Sequence, residues 1–361
     1  MSAMWSGAVE TGARPHFSAN GLPFDTTSYV KLVNDELRDI LSLAGGTAVY
    51  QMMEYHLGFR NVALQPDNQL VGKRLRPIIL LLVHEAIAGD YRQVVPLAAA
   101  VELIHNGSLI IDDIQDRDGW RRGRPTVWRL WGAEKATLVG LGLEALMNKA
   151  AFRLILQGVT SQKVQVVIAG LTDAMLKMAE GQVLDLSFTE PEHITHDAYF
   201  HMIQLKTASL IEAAARLGAV LATDDKKLIN AYSRFAHHLG IAYQITDDVL
   251  GIWDSRGQMG KFAASDFLNR KVTLPIIYGL SMADARQRRW IIDIFHTEND
   301  DAEAQEALKD ILEDLGVREH CRKCAVAQLQ QSRRELQSTG ICAEPQKKLE
   351  ELLDYVSLRI S

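Results

Sequence analysis

Two acidic clusters stand in apolar helical surroundings in this chain. In LIIDDIQDRDGWRRGRPT, Asp112, Asp113 and Asp116 occupy positions i, i+1 and i+4 at the end of an apolar run. In TDDVLGIWD, the adjacent Asp247 and Asp248 sit among Val, Leu, Ile and Trp. Asp112 and Asp116 are about one helical turn apart, so they project from one face. Carboxylates so placed repel one another, and the helix dipole disfavours them near a C-terminus. A hard divalent cation relieves both penalties, because it takes oxygen ligands, keeps some waters and accepts substrate phosphate oxygens as the rest. One such cluster alone reads more readily as a solvated helix end; two, each after a long apolar run, favour the metal reading. Directly after the first comes the compact loop Arg121-Arg122-Gly123-Arg124-Pro125-Thr126. Guanidinium forks match phosphate oxygens. Acids for a metal followed by arginines for phosphate indicate a polyphosphate substrate.

Helices must carry these groups. Apolar residues recur at i, i+3, i+4 and i+7 over Ala98 to Ile111, Val164 to Leu186, Asp197 to Leu221 and Leu228 to Ile252, which predicts helices there. No run of alternating β-branched residues bounded by turn signals occurs, so a sheet is not expected. Breaks fall at Gly119 to Pro125, Thr189 to His196 and Ser255 to Gly260. With only nine prolines, no internal repeat and no Pro/Gly-rich linker after residue 25, the chain reads as all-α, one large helical bundle. Residues 1–25 mix Gly, Ser, Pro and Thr and read as a flexible leader without the pattern of a signal peptide, leaving 26–361 as a single domain.

Composition narrows the function classes. At 361 residues and 47% hydrophobic, the chain can bury one large core or two ordinary ones. A net charge of −6 leaves no basic excess for nucleic acid. The apolar run Ile78 to Val83 is far short of the roughly 18 residues of a membrane helix, so stable membrane insertion is not expected. Three cysteines, Cys321, Cys324 and Cys342, are odd in number and fit a cytoplasmic protein. His320 to Cys324, HCRKC, has no second ligand pair at zinc spacing, and its thiols read as surface or half-buried groups on a helix.

Taken together, GKRLRP (Gly72 to Pro77), HNGSLIIDD (His105 to Asp113), DDIQD with RRGRPT, GQVLDL (Gly181 to Leu186), KTASL (Lys206 to Leu210), YQITDD, and GK followed by KVTLP resemble the trans-isoprenyl diphosphate synthases of the polyprenyl synthetase family. The resemblance runs from about residue 30 to 356, and the order and spacing of the motifs carry it. It implies a helical bundle of the isoprenoid synthase type with a central apolar cavity, acting as a Mg²⁺-dependent, chain-elongating prenyltransferase. Such an enzyme joins isopentenyl diphosphate to an allylic diphosphate, and the family suggests a homodimer built from helices beside the first motif.

Position by position, the resemblance implies that Lys73, Arg76, His105 and Arg122 hold the diphosphate of isopentenyl diphosphate. Arg121, Lys206, Lys261 and Lys271 would contact the allylic diphosphate, helped by Thr207 and Gln244. Asp112, Asp116 and Asp247 would be the principal ligands of several Mg²⁺ ions, three with substrate bound, with Asp113 and Asp248 in near or outer positions. Lys206 and Thr207 would also turn oxygen dipoles toward the allylic cation. In this family the residue five before the first aspartate borders the tail tunnel, where an aromatic ring stops growth; here it is Gly107, followed by Ser108, which implies a product such as geranylgeranyl diphosphate or longer.

The chain departs from the family pattern in four places. Gly251 replaces the third aspartate of the second motif, Leu141 a frequent Asp, Ile111 a frequent His, and Arg270 a frequent Gly. Loss of the carboxylates at 141 and 251 would remove polar groups near the cavity. Two alternatives to elongation therefore stay open: a terpene cyclase derived from the same fold, and a non-catalytic regulatory subunit. Retention of the four isopentenyl-site residues argues against the first, and a complete DDIQD against the second.

Overall fold

The computed structural model describes residues 21–42, 46–67, 72–253, 271–296 and 302–360. Lys261, Arg270 and the break at Ser255 to Gly260 lie outside the described residues. The helices run in the order α1 (Thr27–Ser42), α2 (Ala48–Leu57), α3 (Leu75–Ala88), α4 (Val95–Gln115), α5 (Val127–Trp131), α6 (Ala133–Phe152), α7 (Ser161–Ser187), α8 (His196–Ile203), α9 (Ser209–Ala222) and α10 (Lys226–Trp253). They continue with α11 (Leu274–Met282), α12 (Ala285–His296), α13 (Ala302–Asp314), α14 (Val317–Ser338) and α15 (Glu344–Arg359). The all-α expectation holds, apart from a small antiparallel ribbon of β1 (Trp120–Arg121) and β2 (Arg124–Pro125) at the expected loop.

Helix α4 is apolar on nearly every side, as a helix surrounded by others must be. Its 21 residues begin with Pro96 in the first turn, where a missing N–H costs nothing, and end at the first acidic cluster. Together with the short turn before it, Arg92–Gln115 is long and apolar enough to cross a membrane, yet most of it is buried inside the bundle. It is a core helix, packed mainly on α6.

Helix α10 joins two apolar clusters. Tyr232, Phe235, Leu239 and Ala242 pack with α1 to α7, α9 and α15. Ile241, Ile245, Val249 and Ile252 pack with α8 and α11 to α14. The second acidic motif is therefore gripped from both sides.

Two expectations need correction. Leu22 and Phe24, within the segment read as leader, are core residues at 0% and 7% exposure, so ordered packing begins before residue 26. The stretch Asp197 to Leu221 is not one helix: a π-helical turn, Gln204–Ala208, separates α8 from α9. Glycines on both sides permit it. A Cβ at Gly181 would lie 2.3 Å from the Lys206 nitrogen, and one at Gly240 would lie 2.7 Å from Ala208 Cα. Thus α7 and α10 close on the widened turn that carries Lys206 and Thr207.

Candidate active site

The end of α4 forms one wall. Asp112 and Asp116 project together as their spacing requires, Asp112 lying 3.6 Å from Lys206 Nζ and Asp116 accepting a hydrogen bond from Lys271. Asp113 turns away, 1% exposed, and binds Arg121 Nε of β1 at 2.6 Å. Burial pushes its carboxyl up to about 6, against the pull of that guanidinium. Asp113 thus anchors the arginine loop to α4.

The π-turn and α10 form the facing wall. Lys206 donates to Asp185 of α7 at 2.6 Å as well as approaching Asp112. Asp247 lies 3.0 Å from Arg359 at the end of α15. Asp248, expected as a near or outer partner of the ions, turns away from the cleft. At 3% exposure it accepts from Tyr199 Oη at 2.5 Å, Gln244 Nε2 at 2.7 Å and the Leu274 amide at 3.3 Å. Both its oxygens serve the protein interior, which places it behind the site.

Below these walls lies a cationic floor. Arg76 Nη1 is 3.0 Å from His105 Nε2; arginine can only donate, so this nitrogen accepts and the ring proton sits on Nδ1. Burial, then the Arg76 charge, holds His105 well below the usual imidazole range and so neutral. Arg122 adopts φ +53 beside Gly123 at φ +73. A Cβ at Gly72 would sit 2.6 Å from Arg122 Nη1, so the GKRLRP glycine makes room for the arginine loop. Burial, with the Arg121 charge adding, pushes Arg122 down to about 10. Lys73 reaches across to α15, donating to Tyr355 Oη at 2.6 Å. Under the floor, Arg74 and Glu102 form a buried pair at 2.6 Å, with Arg74 also donating to Asn34 and to the Leu57 carbonyl.

The site suits hard cations in its donor chemistry: carboxylates Asp112, Asp116 and Asp247, each beside a Lys or Arg that could turn to a polyanion instead. Among the described residues, no three acidic, His or Cys side chains converge as one ion's ligand set. An ion held there would complete its shell with water and substrate oxygens.

Several readings of single residues change. Gly107 is a helix-crossing contact: a Cβ there would meet Glu144 Cγ at 2.9 Å and the Gly140 carbonyl oxygen at 3.0 Å, both on α6. It offers no open space of its own. Gly107→Phe should therefore cost about 1–3 kcal/mol of stability by overpacking, read by urea unfolding alongside product length; full stability with a shorter product would show that the ring enters a tunnel instead. Ser108 turns its hydroxyl onto the His105 carbonyl at 2.9 Å. Leu141 is 53% exposed on the outer side of α6, so the carboxylate lost there is not missing from the site. Cys321 is buried, Cys324 half-buried and Cys342 exposed, all with free thiols.

Sequence reasoning passed over Asp185, Tyr199, Tyr355, Arg359 and the Arg74–Glu102 pair. Asp185 had a signal, one turn after Gly181 within GQVLDL; the others touch the site only through the fold.

Residues 62–314 match the family model described as polyprenyl synthetase. The chain is 32% identical over 308 residues to the (2E,6E)-farnesyl diphosphate synthase of Mycobacterium tuberculosis, covering 84% of each. It is 34% identical over 296 residues to the geranylfarnesyl diphosphate synthase of Aeropyrum pernix, covering 80% of this chain and 91% of that one. Among solved structures, the geranylgeranyl pyrophosphate synthetase of Pyrococcus horikoshii superposes with a TM-score of 0.81 at 29% identity, over 91% of this chain and 96% of that one.

Proposed function

The chain belongs to the polyprenyl synthetase family and is a chain-elongating trans-prenyltransferase, and from that premise we propose that it joins isopentenyl diphosphate to an allylic diphosphate with Mg²⁺ held by Asp112, Asp116 and Asp247. The observation that carries this reading is the pairing of acids with cations across one cleft, Asp112 with Lys206 and Asp116 with Lys271, above the separate Arg76–His105–Arg122 floor. Two cationic sites suit two diphosphates.

Lys206, Lys271 and Arg121 hold the allylic diphosphate, and Lys73, Arg76, His105 and Arg122 hold the other. Bound Mg²⁺ supplies Lewis acidity that draws charge off the leaving diphosphate. The allylic C–O bond breaks with its electron pair going to diphosphate, and the isopentenyl double bond then attacks the allylic carbon. A proton leaves the new cation for the departing diphosphate. Lysine and arginine charges fixed in place stabilise the leaving group without reorganising, and apolar walls keep water from the cation. No nucleophilic side chain is needed.

The catalytic unit comprises residues 26–361 together with the packed segment at Leu22 and Phe24. Leu138, Leu141 and Phe152 on α6 and Leu176 and Val183 on α7 are exposed, and such apolar side chains suit a second copy of the chain. Sedimentation at micromolar concentration should give twice the 40.2 kDa chain mass, and a monomer would refute the dimer. The free thiols support a cytoplasmic location. Labelled isopentenyl diphosphate should be incorporated with an allylic primer and Mg²⁺, and incorporation should stop when EDTA is added; EDTA-resistant turnover would sink the metal assignment.

A further inference from the structure

Asp248 is a charged group held out of the cleft, yet a hydrogen-bonded chain leads from it to the cleft wall. Tyr199 of α8, 1% exposed, donates to Asp248 Oδ2 at 2.5 Å, and the Leu274 amide at the start of α11 donates to the same oxygen at 3.3 Å. Gln244 Nε2 donates to Asp248 Oδ1 at 2.7 Å, and Gln244 Oε1 lies 2.7 Å from Thr207 Oγ1. Each link has one allowed direction. Asp248 Oδ1 accepts from the Gln244 NH₂, and that orientation of the amide turns its oxygen toward Thr207. Thr207 has one hydroxyl hydrogen, and that hydrogen must point at Gln244. Its lone pairs are left facing away from the chain.

We propose that Tyr199, Asp248 and Gln244 are positioning residues that lock the Thr207 hydroxyl with its oxygen, not its hydrogen, toward the reacting allylic carbon. The inference rests on the elongation reading above, in which Lys206, the residue before Thr207 on the π-turn, holds the allylic diphosphate. A hydroxyl free to rotate would give its hydrogen to the nearby diphosphate and turn its positive end toward the developing cation. Locked through Gln244, it presents a negative end that needs no reorientation when the cation forms. The chain strengthens the dipole, since linked hydrogen bonds polarise one another. A carboxylate placed directly against an allylic cation would be alkylated to an ester. The relay conveys its field while its oxygens stay occupied by Tyr199, Gln244 and Leu274. This also accounts for a π-turn at this place, because the widened turn carries Thr207 across from Gln244 between Gly181 and Gly240.

The test is a double-mutant cycle on the full chain with Mg²⁺ and both substrates, with melting temperature recorded for every variant. Tyr199→Phe and Thr207→Val should each lower kcat by about tenfold, with KM for both substrates within about twofold of wild type. Thr207→Ser, which keeps the hydroxyl, should recover most of the kcat that Thr207→Val loses. The double variant should lose no more than Thr207→Val alone, within about twofold, because both changes break one chain. If Tyr199→Phe does not fold, Gln244→Met replaces it in the same cycle with the same expected result. Independent losses that multiply to about a hundredfold would overturn the relay, as would unchanged kcat in Tyr199→Phe or Thr207→Val. Wild-type elongation in the same assay separates the two claims: if it is absent, the elongation reading fails; if it is present with multiplicative losses, only the relay fails.

Discussion

Asp112→Ala will all but abolish elongation, with kcat falling by about a hundred- to a thousandfold, while leaving the fold intact. The loss follows from removing a carboxylate assigned to Mg²⁺ and, with it, stabilisation of the leaving diphosphate, for which single-group deletions cost on the order of a hundred- to a thousandfold. The tolerance of the fold follows from the surroundings. Lys206 remains neutralised by Asp185 at 2.6 Å, closer than Asp112 at 3.6 Å. The deletion also relieves repulsion from Asp113 and Asp116 at a helix C-terminus. Incorporation of labelled isopentenyl diphosphate and a thermal melt on the same preparation check both halves. Near-normal turnover would remove Asp112 from the metal site; a collapse in stability would make it structural.

The second large effect is on stability. Arg74→Ala is expected to cost about 3–5 kcal/mol, the usual consequence of leaving a buried charge without its partner. Both side chains of the Arg74–Glu102 pair are 2% exposed, and Arg74 also holds Asn34 and the Leu57 carbonyl. Glu102 Oε2 has no hydrogen-bond partner among the described residues, so losing the bond to Oε1 leaves Asn106 as its remaining side-chain donor. Arg74 sits at φ +52, a strained backbone that Ala does not relieve. The pair lies between the start of α3, where Lys73 precedes the helix and Arg76 lies in its first turn, and α4, which presents His105. Affinity for isopentenyl diphosphate should therefore fall in whatever fraction still folds. Urea unfolding measures the first effect and KM the second; a stability loss under about 1 kcal/mol would mean that water replaces the arginine.

The sequence showed the long helices and the two acidic clusters because both are local patterns. Apolar periodicity marks α4, α7 and α10, and i, i+4 spacing puts Asp112 and Asp116 on one face. It could not show what stands opposite each face. Asp197 to Leu221 has unbroken helical periodicity, and the π-turn within it depends on Gly181 and Gly240, which lie on other helices. Gly107 looked open because it has no side chain, whereas Gly140 and Glu144 of α6 fill the place. Asp247 and Asp248 are adjacent and chemically identical, yet a helix turns consecutive residues about 100° apart, so one faces Arg359 and the other faces Tyr199. Gly251, which raised the cyclase alternative, removes an acid from α10 but leaves both pairings of the first motif and the whole cationic floor in place.

The most direct test of the account incubates the purified chain with Mg²⁺, labelled isopentenyl diphosphate and, separately, dimethylallyl, geranyl or farnesyl diphosphate, then separates the products by length. Label is expected in a trans-polyprenyl diphosphate longer than its primer. Failure to elongate any primer, with hydrocarbon or alcohol released from a longer allylic diphosphate alone, would contradict it in favour of a cyclase; no turnover of either kind would make the chain a non-catalytic subunit.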